Sequence, residues 1–534
     1  MKPKKITAVA KEFGLSSDVI EPYGHHKGKV PLSQIKQDKI NKNHLILVSS
    51  MSPTPEGIGK TTLSIGLCDA ICSLGEKSTV VIREPSLGPI FGKKGGATGG
   101  GESTVFPSED INLHFNGDFA AVEKANNLLS ALIDNYLRFQ GQSYQIDPKT
   151  VVWKRVMDMN DRSLRKIITG LGGQNGGVPM ESGFNITAAS EIMAILCISN
   201  SLADLKKRIG HIFVGWTYDK RPVYVKDLGF EGPVTALLKE AIKPNLVQTS
   251  LGNPAIIHGG PFANIATGTN TVLATKLGLS YSKYVVTEAG FGAELGAEKF
   301  FNIICRQAEL SPSLVVLLFS IKSLEYHGDG DLKKGFNNLK RHYHNCKKFG
   351  VSIITALNLW EKEDKQKLKE VAELCEKEGM PYSICSPFNQ GAKGVEDLAK
   401  MVIKGCEQKN KFHPTYELSL PLVDKIKHLA QDFYGASRVK FSSKALAEMK
   451  EIEGLGMSKF PICMAKTPLS LSDNPQLRGC PTEFDFLIRD FEFSSGAEFI
   501  IPMAGDVMRM PAFGRSPSAL RIDIDDKGNI SGVL

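Results

Sequence analysis

Short unbroken apolar runs, separated by stretches with helical periodicity, set the rhythm of this chain. The first clear run is Leu45-Ile-Leu-Val48, which has no polar position to turn toward water. Such a run fits a strand buried on both faces of a parallel sheet. Residues 79–82, 211–214, 255–257, 284–286, 314–319 and 351–356 repeat the pattern. Between them the spacing predicts helices over 61–74, 164–168, 190–205 and 333–348. Residues 1–43 read as a lead-in, with a short helix at Ile6-Thr-Ala-Val-Ala-Lys-Glu-Phe13 and then a basic loop. Strands alternating with helices predict an α/β architecture on a mainly parallel sheet. No internal repeat interrupts it.

Length divides this pattern. At roughly 100–200 residues per domain, 534 residues suggest about three domains. The charged stretch 358–380 reads as a solvated helix, 408–420 as a linker, and the last hundred residues as a new αβ set ending in Phe499-Ile-Ile-Pro-Met503. The expected division is a large N-terminal domain over 1–335, a smaller α/β domain over 336–420 and a C-terminal α/β domain over 421–534. With 42% hydrophobic and 23% charged residues, the balance is that of an ordinary globular protein. The net charge of +8 is scattered and has no basic tail, which argues against nucleic acid and suits small anionic substrates. Ten cysteines without CxxC spacing read as reduced, buried thiols and offer no zinc site. The basic N-terminus has no apolar run behind it, and no stretch of about eighteen uncharged apolar residues follows. A cytoplasmic protein without a membrane partner is expected.

Candidate chemistry begins directly after the first strand, at Thr54-Pro55-Glu56-Gly57-Ile58-Gly59-Lys60-Thr61-Thr62. This is close to a P-loop, with Thr54 in place of the first glycine. Gly57 and Gly59 let backbone N–H groups turn inward, and the following helix adds its positive end. Lys60 would set a point charge on a transferring phosphoryl group, and Thr61 could bind Mg²⁺. The next strand leads into Arg83 and Glu84, beyond a carboxyl end where open α/β sheets place ligands. An arginine there can grip a carboxylate or phosphate bidentately. The glycine-dense Gly92-Lys-Lys-Gly-Gly-Ala-Thr-Gly-Gly-Gly101 that follows reads as a binding or closing loop.

These strings resemble the formate–tetrahydrofolate ligase family, and so do others in the same order. Among them are Arg83-Glu-Pro-Ser-Leu-Gly-Pro89, Asp110-Ile-Asn-Leu-His-Phe115, Trp153-Lys-Arg155, Asp158-Met-Asn-Asp-Arg162 and Ala189-Ser-Glu-Ile-Met-Ala-Ile-Leu-Cys197. Further on come Lys243-Pro-Asn-Leu-Val-Gln-Thr249, His258-Gly-Gly-Pro-Phe-Ala-Asn-Ile-Ala266, Val286-Thr-Glu-Ala-Gly-Phe-Gly-Ala293, Cys463-Met-Ala-Lys-Thr467 and Ser470-Leu-Ser-Asp473. The likeness runs from about residue 40 to the end. It implies a homotetramer that uses ATP with Mg²⁺, often helped by a monovalent cation. Formate would attack the γ-phosphate to give formyl phosphate, and N10 of tetrahydrofolate would then take the formyl group. On that template Lys60 and Arg83 hold phosphates, Asp118 and His258 lie around the reacting centre, and Glu84 lies near the folate. Trp360 and Phe388 would sandwich the pterin, with 336–420 contributing to that pocket. The family usually carries Phe first and Trp second, so the pair is exchanged here.

Other positions also depart from the family pattern. Ala120 stands for a histidine, Met180 and Asn185 for an arginine and an aspartate, Thr267 and Thr269 for a histidine and a cysteine, and Ile58 for a glutamate. Ser250-Leu-Gly-Asn253 lacks expected acidic and histidine residues. The changes remove ionisable groups from loops expected at the site, which keeps alternatives open: a paralogous ligase with another carboxylate or acceptor, or a silent nucleotide- or folate-binding protein. Retention of Lys60, Thr61 and Arg83 favours the enzyme.

Overall fold

The run Leu45-Ile-Leu-Val48 lies at the centre of the molecule, with all four side chains buried, as an apolar strand covered on both faces requires. The computed structural model describes residues 2–92, 96–139, 145–360 and 364–533. Its main sheet has twelve strands. In chain order they are β1 (Glu21–Pro22), β2 (Gly28–Lys29), β3 (His44–Ser50), β4 (Ser78–Ile82), β5 (Gly99–Gly100) and β6 (Ser103–Phe106). After a long excursion follow β7 (Asn245–Thr249), β8 (Pro254–Ile257), β9 (Tyr284–Glu288), β10 (Pro312–Phe319), β11 (Ser352–Asn358) and β12 (Tyr382–Cys385). In space β8, β4, β9, β3, β10, β11 and β12 lie side by side, all parallel. Antiparallel β7 pairs β8, β2 and β6 and closes one edge.

Most expected strands fall in the parallel block, and the expected α/β class holds. The run at 211–214 is the exception. It becomes Phe213–Trp216, which folds back on Pro222–Tyr224 as a separate hairpin. Lys220, at φ 64°, makes the turn that gives this short run a partner a few residues away. The helix expected over 164–168 is also corrected. A 3₁₀ turn at Arg162–Leu164, capped by Asp161, gives way to strand Ile167–Thr169 paired with Met180–Ser182. The β-branched Ile167-Ile168-Thr169 fits a strand better than a helix. The stretch 190–205 holds two helices, Glu191–Ile198 and Leu202–Gly210, because Ser190 and Ser201 each cap a new start.

Helices α1 (Lys60–Ser73), α2 (Asp118–Phe139), α3 (Val272–Tyr281) and α4 (Leu332–Lys347) carry the parts that matter below. The boundary expected at 335/336 falls within α4, and β11 and β12, from the 336–420 segment, extend the main sheet. In the C-terminal part, Phe499–Ala504 pairs antiparallel with Asp490–Ser494 and parallel with Ala465–Lys466. All ten cysteines are free thiols, and only Cys72 and Cys480 are partly exposed. Among the described residues no helix is long and apolar enough to cross a membrane.

Candidate active site

The glycine-bearing loop between β3 and α1 is held open toward its own backbone. Gly57 and Gly59 sit at φ 92° and 85°, the left-handed region where a side chain would strain the turn. Thr54 closes the loop by donating to the Gly57 carbonyl at 3.0 Å, while Pro55 and Glu56 lie exposed at its tip. Gly59 provides no capping side chain, so the first amides of α1 remain for a ligand. Lys60 Nζ donates to the Phe291 carbonyl at 2.8 Å and the Ser50 hydroxyl at 3.3 Å. Thr61 donates to the carboxylate of Glu288, and Thr62 is buried behind it. Ile58, where the family carries glutamate, is buried in the core; Asn358 at the end of β11 donates to its carbonyl at 3.2 Å.

Arg83 and Glu84 follow β4, two strands from the loop. Arg83 donates to the Pro261 carbonyl at 3.3 Å, and its Nε has no partner in the structure. Burial lowers its pKa and the charge of Glu288 opposes that fall. Glu84 is buried with one carboxylate oxygen unpartnered. Burial first, and then the charge of Asp118, hold its carboxyl well above the usual range. The loop beyond is tied down by Asp158, which accepts from the Ser86 hydroxyl at 2.6 Å and the Leu87 amide at 2.8 Å.

Asp118, the first residue of α2, is buried against Lys29 at 2.8 Å and accepts from Asn245 Nδ2 at 2.7 Å. Lys29 also donates to Asn245 Oδ1 and the Lys243 carbonyl, so each group of this buried set is satisfied by another. His258 lies beside it, wholly buried. Its Nε2 sits 2.7 Å from the Ala241 carbonyl, an acceptor only, so Nε2 carries the proton. Nδ1 then accepts from the Thr271 hydroxyl at 2.7 Å, and that oxygen takes the Ala274 amide at the start of α3. Burial pushes the imidazole down to about 4. In this structure both of its nitrogens are occupied and it is neutral.

The two aromatics meet. Trp360 follows β11 and Phe388 follows β12, and their rings lie 5.6 Å apart, tilted by 46°. A β-carbon on Gly59 would come within 2.7 Å of the Trp360 ring, so this pair adjoins the phosphate-loop candidate. Gly101 passes so close under Phe388 that a β-carbon would overlap its carbonyl at 2.0 Å, and Glu102 N–H donates to that carbonyl at 2.9 Å. The glycine-dense stretch is thus packed against the second aromatic; its residues 93–95 lie outside the described residues.

The other departures scatter. Ala120 is exposed on the first turn of α2. Met180 and Asn185 are half-buried in the small strands Met180–Ser182 and Phe184–Asn185. Thr269 donates to the Glu288 carbonyl at 2.9 Å, and the Thr267 hydroxyl is buried without a partner. Sequence reasoning missed Lys29, Asn245, Glu288 and Asn358. Asn245 and Glu288 stood inside quoted motifs, but Lys29 was one charge in a basic loop and carried no signal.

Comparison with known proteins bears on this arrangement. A family model described as "Formate--tetrahydrofolate ligase" matches residues 1–534. The chain is 48% identical to the formate–tetrahydrofolate ligase of Pseudothermotoga lettingae and 49% to that of Caldicellulosiruptor saccharolyticus, in each case over 100% of this chain and 98% of the relative. It is 47% identical to the enzyme of that name from Staphylococcus aureus, over 99% and 97%. With a family model matched over its whole length and relatives near half identical across both chains, the chain belongs to the formate–tetrahydrofolate ligase family.

Proposed function

We propose that this protein joins formate to tetrahydrofolate at the expense of ATP, giving 10-formyltetrahydrofolate, ADP and phosphate. The observation that supports this reading is that Arg83, Lys60 and the Trp360–Phe388 pair follow the carboxyl ends of β4, β3, β11 and β12 on one side of the same parallel sheet, with Trp360 against the Gly59 turn of the phosphate-loop candidate. In the first step a formate oxygen attacks the γ-phosphorus and ADP leaves. Lys60 and Arg83 neutralise the charge that spreads over the phosphoryl oxygens. In the second, N10 attacks the formyl carbon of formyl phosphate; the C–O bond breaks, and the N10 proton leaves with the departing phosphate. Holding both reactants at the strand ends would supply orientation, which together with charge neutralisation carries such transfers.

Within this reading Asp118 and His258 are positioning residues: Asp118 fixes Lys29 and Asn245, and His258 fixes the start of α3. Glu84 is the residue that faces the folate in this reading. Thr61 is the residue for Mg²⁺; its surroundings are oxygens, the chemistry a hard cation takes, and the ion would supply neutralising charge to the phosphates. A ring stacked between two others needs them about 7 Å apart, so Trp360 and Phe388 part to admit a pterin. A homotetramer is part of the proposal; light scattering would then return four times the 58.2 kDa chain mass.

The test is formation of 10-formyltetrahydrofolate from formate, Mg-ATP and tetrahydrofolate with potassium present, read after acid conversion to the methenyl form. Formate-dependent product is the expected result. No product in a sample that binds ATP would move the proposal to another carboxylate or acceptor.

A further inference from the structure

Three neighbouring strand ends meet at the phosphate loop. β3 delivers the loop and Thr61, β9 pairs with β3 and ends on Glu288, and β4, on the far side of β9, leads into Arg83. Glu288 is only 5% exposed. Both its carboxylate oxygens lie against the Thr61 hydroxyl, at 2.9 and 3.1 Å. Its backbone is fixed by pairing with Val48 of β3, by the pairing of the preceding Thr287 with Val81 of β4, and by Thr269, which donates to its carbonyl. Arg83 feels its charge, yet the hydrogen bond from the guanidinium goes to the Pro261 carbonyl.

One neutral hydroxyl is a weak return for burying a carboxylate with about four acceptor sites. A negative charge at this point also repels the phosphates that the loop amides and Lys60 are arranged to attract. Both costs disappear if a cation stands between carboxylate and phosphate. We propose that Glu288 and Thr61 form the protein half of a divalent-cation site, completed by phosphate oxygens of the bound nucleotide. One carboxylate and one hydroxyl is the modest donor set on which Mg²⁺ is carried with a nucleotide, in contrast to a cage made wholly by protein. Among the described residues no group of three or more His, Cys, Asp or Glu could form such a cage. This assignment rests on the phosphate-loop reading and names the second residue that the cation needs.

The test measures ADP affinity by calorimetry with Mg²⁺ and with EDTA, and Mn²⁺ affinity of the protein–ADP complex by electron paramagnetic resonance. Glu288→Gln keeps shape and an acceptor for Thr61 while removing the charge. The variant should bind ADP in EDTA at least as tightly as the parent, because a repulsive charge is gone. It should lose most of the tightening by Mg²⁺, and its Mn²⁺ affinity should fall by about tenfold or more. Thr61→Ser should keep the metal effect and Thr61→Val should lose it. If Glu288→Gln does not fold, the Thr61 pair carries the same comparison. Parent-like Mn²⁺ affinity in Glu288→Gln, or equal losses with and without metal, would overturn the proposal alone. A parent that binds no ADP would overturn the phosphate-loop reading, and this assignment with it.

Discussion

Lys60 donates to a carbonyl and a hydroxyl, both neutral, and an anionic phosphate oxygen is a stronger acceptor than either. Lys60→Ala should therefore leave the far-ultraviolet circular dichroism unchanged while turnover falls by about 10²–10³-fold or more. Normal turnover in the folded variant would sink the phosphate-site assignment. His258 makes a different prediction. An imidazole of ordinary value near 6.5, held down to about 4 by burial, binds its proton more weakly when folded than when unfolded. Its contribution to stability is whole above pH 6.5 and drains as the pH falls toward 4. The gap in unfolding free energy between the parent and His258→Asn should narrow by about 2 kcal/mol between pH 7 and 5. A constant gap would mean that the ring is charged or exposed in the native state. At this scale Lys60 was legible because its motif is contiguous. The enclosed state of His258 was not, because Ala241 and Thr271 lie 17 and 13 residues away in the chain.

Among the elements, the loops after β11 and β12 carry the pterin-binding proposal. Stacking on an aromatic is worth about 1–3 kcal/mol per ring by alanine substitution. Trp360→Ala should accordingly raise the KM for tetrahydrofolate by about tenfold or more, and that for ATP far less. Because Trp360 also leans on Gly59, Trp360→Phe is the control and should restore most of the loss. Equal effects on both substrates would argue against the aromatic sandwich. The strands of the parallel block were legible because burial on both faces leaves an unbroken apolar run. The run at 211–214 looked the same but found its partner in its own hairpin, and apolar periodicity alone does not distinguish the two.

At the scale of the whole molecule, the support of the phosphate loop comes from residues far along the chain. Lys466 donates to Glu294 at 3.2 Å, both wholly buried, and Glu294 Oε2 faces His342 Nδ1 at 3.5 Å. Burial pushes the His342 ring down to about 4, so it is neutral at pH 7. The Ser52 amide at the start of the loop donates to its other nitrogen at 3.0 Å. The C-terminal part thus reaches the loop through a buried ion pair. Lys466→Met leaves Glu294 buried without its cation and should cost about 3–5 kcal/mol in denaturant unfolding. Adding Glu294→Gln should recover much of it; a double variant no more stable than the single would show that the pair carries no such role.

What the sequence by itself determined is local: the apolar runs of the parallel strands, the glycine loop that starts α1, and the motifs that place the chain in its family. These depend on residues within a few positions of one another, where periodicity and backbone freedom act. Tertiary structure alone decided that Lys29 answers Asp118, that His258 is walled in, that Glu288 faces Thr61 and that Lys466 supports the loop from the far end of the chain. The physical reason is that a polar side chain takes its charge, its partner and its role from what packing sets against it, and those partners lie up to 227 residues away for Thr61 alone.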